Sequence, residues 1–376
     1  MAVLPERQSQ GNRTAVNVNS FLRFRMNKEW SEKNKKMQTL IGKEVTFREG
    51  IDVLIELRDD LFQQITSIVN TYPPEAFYQM PFAKAEGYHS KTLAYSMWHI
   101  FRIEDIVAHT LIGQDSQVLF AGGWLARTKS PIMTTGNELK GSEIAAFSQR
   151  LDVKAVYEYC AAVMNETNRM LRNLEYKDIK RKFAETDRER LVECRCVSAD
   201  EDAFWLIDYW CGKDVRGLIQ MPFSRHWIMH IEAMCRIKNK LCQTARKGVD
   251  TIAYCGLSCN HCFLAEWCGS CRTRYNTCSF ATCSPGGVCQ NTACCREKGL
   301  DGCYECEELD SCRKGFYSLD KEVNAIKAMA KFIRKYGKKE LCSALDKLHE
   351  QYDFQKIQEI LGYDLEEGLL ILEKSR

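Results

Sequence analysis

The chain has 376 residues, with 53 Lys and Arg against 50 Asp and Glu, and 45% of it is hydrophobic. That is enough for two or three domains with real cores, and it excludes a disordered polymer. No basic run supports nucleic-acid binding, and no run of ~18 apolar residues supports a membrane span.

The opening MAVLPERQSQGNRTAVNVNS lacks an apolar centre. No signal peptide is expected there, and residues 1–44 read as an arm. A cytoplasmic location is expected. In that reducing compartment the 20 cysteines point to metal thiolates or redox chemistry rather than to disulfides.

Four segments then carry a helical period. Val53, Leu57, Leu61, Ile65 and Ile68 share one stripe. Ser96, His99, Ile103, Ile106 and Thr110 share a second. Val153, Val156, Cys160, Val163, Thr167 and Met170 share a third, and Phe223, His226, His230, Met234, Ile237 and Leu241 a fourth. Steps of three and four keep each set on one helix face, and no alternating strand pattern competes. A mainly α fold with a four-helix bundle over residues 45–248 is predicted. The link at 112–149 is rich in glycine and turn signals, and DAFWLIDYWCG forms a small helix over the bundle end.

The second and fourth stripes contain histidines where leucine would pack better. His226 and His230, four apart, point the same way, and a facing His99 completes three neutral nitrogen ligands. The alternative is a set of core histidines that hydrogen-bond or stack on Trp98 or Trp227. Buried polar rings need some partner, and a metal is one. Around His99, Tyr95 and Arg102 are the candidate catalytic neighbours, with a solvated helix face as the alternative for Arg102. Glu104 falls off the ligand face and is expected in a surface salt bridge. His109 is structural or exposed, and His89 is a loop or cap residue.

The stretches SMWHIFRIED around His99 and SRHWIMH around His226 and His230 resemble the metal triad of the DinB/YfiT-like family, over about residues 45–245. The resemblance implies a divalent ion (Zn, Ni or Fe) on His99, His226 and His230. It also implies a transferase, isomerase or hydrolase acting on a small molecule with a low-molecular-weight thiol.

A second domain, 252–315, is built on sulfur. Its cysteines are Cys255, Cys259, Cys262, Cys268, Cys271, Cys278, Cys283, Cys289, Cys294, Cys295, Cys303, Cys306 and Cys312, all taken as candidate metal ligands. Cys259/Cys262, Cys268/Cys271 and Cys303/Cys306 are CxxC pairs, and two such pairs enclose one zinc tetrahedrally or hold a cluster. Zinc is favoured, with an iron–sulfur cluster as the alternative. His261 substitutes as a ligand or points outward. The Cys255, Cys259, Cys262 spacing is similar to that of radical-SAM enzymes, but no (β/α) barrel pattern surrounds it. YCGLSCNHC, WCGSCR and EKGLDGCYECEELDSC resemble the DUF3795 family, whose members are suspected metal binders, over about residues 252–345.

Residues 316–376 read as a helical extension. Val323, Ile326, Met329, Ala330 and Ile333 form an apolar stripe, a second helix covers about 338–350, and Cys342 is an ordinary helix residue. Together these features predict a metal-dependent enzyme with a cysteine-rich module. Alternatives are a metal-binding sensor, storage or protein-interaction module without catalysis, and an iron–sulfur oxidoreductase. A small-molecule substrate and a homodimer are the expected partners.

Overall fold

The computed structural model describes residues 26–265, 268–275, 288–318 and 323–376. The expected arm begins outside these residues, but its second part is helix α1, Met26–Leu40. Trp30, Asn34 and Met37 on it, and Ile41 just after it, are buried at steps of three and four, which is the pattern of a packed helix rather than a loose arm.

Helix α2, Phe47–Thr71, buries Val53, Leu57, Leu61, Ile65 and Ile68 and exposes Asp52, Glu56 and Asp59. Helix α3, Leu93–Asp105, starts at Thr92, whose Oγ1 accepts from the Tyr95 amide at 3.0 Å. All 13 of its residues are buried, so it is a central helix and not one with a single apolar stripe. It runs into a π-helical turn, Ile106–Gly113. Helix α4, Val153–Asn173, is capped by Asp152 and buries Val156, Tyr159, Cys160, Val163 and Thr167.

Helix α5, His226–Arg246, follows a second π-helical turn, Met221–Arg225. Pro222 has no amide hydrogen, so the regular ladder cannot continue through it. Two side chains take up carbonyls on either side. Arg58 Nη1 donates to Phe223 O at 3.1 Å, and Ser224 Oγ donates to Ile219 O at 3.0 Å.

Helices α2 and α3 each pack on both α4 and α5, so the four close into a circuit. The short helix Glu201–Cys211 adds Ala203, Leu206, Ile207 and Trp210 to a core that includes Val107, Leu111 and Leu218. Glu29–Gly248 is one compact unit, and Val249–Arg376 belongs to a second. The described residues are mainly helical and contain two isolated bridges but no strand. None of their helices is long and apolar enough to cross a membrane.

The second unit contains α6 (Gln290–Lys298), α7 (Val323–Tyr336), α8 (Lys338–His349), α9 (Phe354–Gly362) and α10 (Leu365–Lys374). Among the described residues, those of 252–315 and of 316–376 share one core. Cys255, Cys271, Cys295, Cys303 and Tyr317 pack in one cluster with Ile326, Met329, Phe332, Leu341, Leu361 and Leu372. Gly256, at φ 97°, sits so close to α7 that a Cβ there would lie 2.9 Å from the Ala330 Cβ.

Candidate metal centre

Four helices are held in register by one buried ion pair. Arg58 on α2 and Glu104 on α3 are fully buried and joined by bonds of 2.7 and 2.9 Å. Arg58 Nε donates to Asn168 Oδ1 on α4 at 2.7 Å, and Trp227 Nε1 on α5 donates to Glu104 Oε2 at 2.8 Å. The Arg58 guanidinium also lies over the Trp227 ring at 4.4 Å. Glu104 is therefore no surface salt bridge. It is five residues from His99, and its partner Trp227 is next to His226.

A second device orients α3. Side chains at 95, 98, 99 and 102 lie on one helix face, and consecutive backbone carbonyls of the 112–149 link receive them. Tyr95 Oη donates to Gly136 O at 3.0 Å, Trp98 Nε1 to Thr134 O at 2.9 Å, and Arg102 Nε to Met133 O at 3.1 Å. His99 Nδ1 lies 2.9 Å from Thr135 O. A carbonyl can only accept, so the hydrogen sits on Nδ1 and the Nε2 lone pair is left for a ligand.

That lone pair meets α5. His99 Nε2 is 3.2 Å from His226 Nε2, and one ligand atom from each of His99, His226 and His230 lies within 4.8 Å of the others. Nitrogens bound at ~2.0–2.1 Å to a tetrahedral ion are about 3.3–3.4 Å apart, so the 3.2 Å edge suits an ion. A hydrogen bond between two rings has a similar length, but it involves only His99 and His226; both nitrogens of His230 beside them stay buried without a partner, and an ion would take one of the two. The donor set fits a divalent metal.

His99, His226 and His230 are 6%, 7% and 2% exposed. Burial pushes His99 down to about 4, against the Thr135 bond and with help from Lys91. Burial also holds His226 well below the ordinary imidazole range, with His99 adding to it. His230 is held low by burial, then by His226, His99 and Lys91. The triad is thus neutral at physiological pH, the protonation state a metal requires.

The expected catalytic roles of Arg102 and Tyr95 do not follow from this geometry. Arg102 is fully buried, on no solvated face, and its donors go to Asp105, Tyr159, Gln117 and Met133 O. Tyr95 stacks on His99 with centroids 5.5 Å apart, and its hydroxyl is bound to Gly136. Burial, then Glu138, pushes that hydroxyl well above the ordinary phenol range. His109 is buried beside Asp115 at 2.7 Å. His89 lies in the turn Gly87–His89, 3.3 Å from Arg236 Nη1.

Two neighbours were not legible in the sequence. Tyr88 meets the His230 ring edge-on at 4.8 Å, and the half-buried Lys91 ammonium lies 5.0 Å from the Tyr95 ring centroid. The one available signal was the position of Lys91, directly before the cap of α3.

The cysteines separate into groups. Cys262, Cys268 and Cys271 all lie near enough to Cys259 to act on its charge. Burial first, then Cys271, Cys268 and Cys262, pushes the Cys259 thiol up to about 12, against its hydrogen bond with the Ser270 hydroxyl. The Leu264 and Ser270 amides donate to the Cys262 and Cys268 sulfurs at 3.4 Å. Cys294, Cys295, Cys303, Cys306 and Cys312 line one cavity. Cys255 and Cys289 are buried, while Cys278 and Cys283 lie outside the described residues. His261 neither points outward nor has a free nitrogen, since it bridges Ser258 Oγ at 2.7 Å and Asp346 Oδ1 at 2.8 Å. No family model, curated protein or solved structure matches the chain.

Proposed function

We propose that the Glu29–Gly248 unit is a metal-dependent enzyme of the DinB-like type, acting on a small molecule with a thiol as nucleophile. The observation that carries this is the triad: one nitrogen from each of three neutral histidines gathered from two helices, with His230 among them buried and neither of its ring nitrogens partnered. A bound divalent ion would acidify a water or thiol at its open positions.

The chain's own residues supply the rest. Thr135 O fixes the His99 tautomer, and Tyr95 fixes its ring plane. Lys91 adds positive charge beside the triad, which favours an anionic nucleophile such as a thiolate. In this reading the Val249–Arg376 unit is a DUF3795-like module holding zinc between the pairs Cys259/Cys262 and Cys268/Cys271.

The test is elemental analysis of the purified full chain and of His226→Ala. The variant should lose about one divalent equivalent and keep the thiolate-bound ions. An unchanged metal content would remove the triad from any catalytic role.

A further inference from the structure

The cavity lined by Cys294, Cys295, Cys303, Cys306 and Cys312 is not needed for the histidine centre or for the paired CxxC group. It measures about 20 Å³, room for about one water or one ion, and too small for an organic substrate. We propose that it is a second thiolate centre, in which Cys295, Cys303, Cys306 and Cys312 hold one zinc ion.

Three observations support it. First, the Cys295 and Cys303 sulfurs are 3.6 Å apart. A disulfide needs about 2.05 Å, whereas sulfurs at ~2.3 Å from a tetrahedral ion stand about 3.8 Å from one another. The pair is a thiol–thiol hydrogen bond in length and also has the spacing of one edge of such a tetrahedron. Cys306 follows Cys303 in a CxxC turn closed by the Cys306 amide on Cys303 O at 3.1 Å, and Cys312 lines the same cavity. No three of these sulfurs gather as closely as the histidines do.

Second, donors already face the sulfurs. Asn291, 2% exposed, is held by the Phe316 amide on its Oδ1 at 2.7 Å and directs Nδ2 to Cys303 Sγ at 3.6 Å. An N–H aimed at sulfur stabilises a thiolate and orients a ligand. Third, a cation stands beside one of the four ligands: Lys298 Nζ lies 3.9 Å from Cys306 Sγ, sharing its charge with Glu308 Oε2 at 3.1 Å.

Cys294 is the odd thiol. It adjoins Cys295 on α6, and successive residues on a helix project about 100° apart, so both do not serve one ion easily. Lys314 Nζ lies 3.8 Å from Cys294 Sγ. Binding converts four thiols and Zn²⁺ into a tetrathiolate zinc complex and releases four protons.

The experiment uses the full chain, purified under reducing conditions. Zinc content is compared among wild type, Cys303→Ser, Cys294→Ser and His226→Ala. Cys303→Ser should lose one zinc equivalent and Cys294→Ser none. His226→Ala should leave this zinc in place, so failure here is distinguishable from failure of the enzyme proposal. Should Cys303→Ser not fold, wild type is alkylated with iodoacetamide and mapped by mass spectrometry. Half-exposed Cys306 and Cys312 should resist alkylation until a chelator is added, then react together with Cys295 and Cys303, while Cys294 reacts throughout. Equal labelling with and without chelator overturns the proposal. So does full zinc in Cys303→Ser, loss of zinc in Cys294→Ser, or iron with sulfide in place of zinc.

Discussion

Replacing Glu104 by glutamine leaves Arg58 as a buried cation without its counter-charge. Both side chains are fully buried, and the pair reaches all four long helices through Asn168, Phe223 O and Trp227. Removing one partner of such a pair costs ~3–5 kcal/mol, because the desolvated charge that remains has lost its compensation. With an m-value of about 2 kcal/mol per M urea, the midpoint should fall by ~1.5–2.5 M. Tryptophan fluorescence reports the right unit, since Trp30, Trp98, Trp124, Trp205, Trp210 and Trp227 all lie in it. The titration is run with chelator so that metal binding does not add to the apparent stability. Arg58→Leu, Glu104→Leu and the double variant complete a cycle, in which the coupling energy should reach at least ~2 kcal/mol. A midpoint within ~0.3 M of wild type for Glu104→Gln, or additive single effects, would refute the claim that this pair sets the helix register.

Acid should destabilise the metal-free Glu29–Gly248 unit. His99 sits at about 4 when folded, against an ordinary 6.5. The unfolded chain therefore binds protons first, and stability is intact above about pH 6.5 and falls as pH drops from there through about 4. At ~1.36 kcal/mol per pH unit, His99 alone contributes about 3 kcal/mol to that loss, and His226 and His230 act in the same direction. A flat urea midpoint between pH 7 and 4.5 would contradict this. Gly136→Ala, at φ 80° with a Cβ 3.1 Å from Tyr95, should destabilise by ~1–3 kcal/mol and weaken metal binding about tenfold. Gly141→Ala, also at positive φ but in open space, should carry strain without the loss of metal affinity; calorimetric metal titration separates the two. Gly256→Ala should lower the stability of the Val249–Arg376 unit by more than ~1 kcal/mol, read by hydrogen exchange on α7, because its Cβ would meet Ala330.

Helix periodicity is a local property, so the apolar faces of α2 and α5 and the stripe of α7 were legible in the residues alone. So was the suspicion attached to His226 and His230, since a four-residue step fixes two side chains on one face without reference to anything else. Glu104 and Arg102 were misplaced for the opposite reason. A charged residue on a helix reads as exposed until its counter-charge is known, and those partners, Arg58 and Asp105 with Tyr159, include residues 46 and 57 positions away. The start of α1 was taken for an arm because its charged face outweighs the three- and four-residue recurrence of Trp30, Asn34 and Met37. What the sequence by itself determined is the set of helices, the HxxxH face and the concentration of sulfur between Cys255 and Cys312. What only the tertiary structure decided is that His99 meets that face, that the carbonyls of Met133 to Gly136 aim it, and that the cysteines divide between a paired CxxC group and a separate cavity. Convergence of distant segments depends on helix register and on loops closing over them, and neither is encoded in the spacing of any one segment.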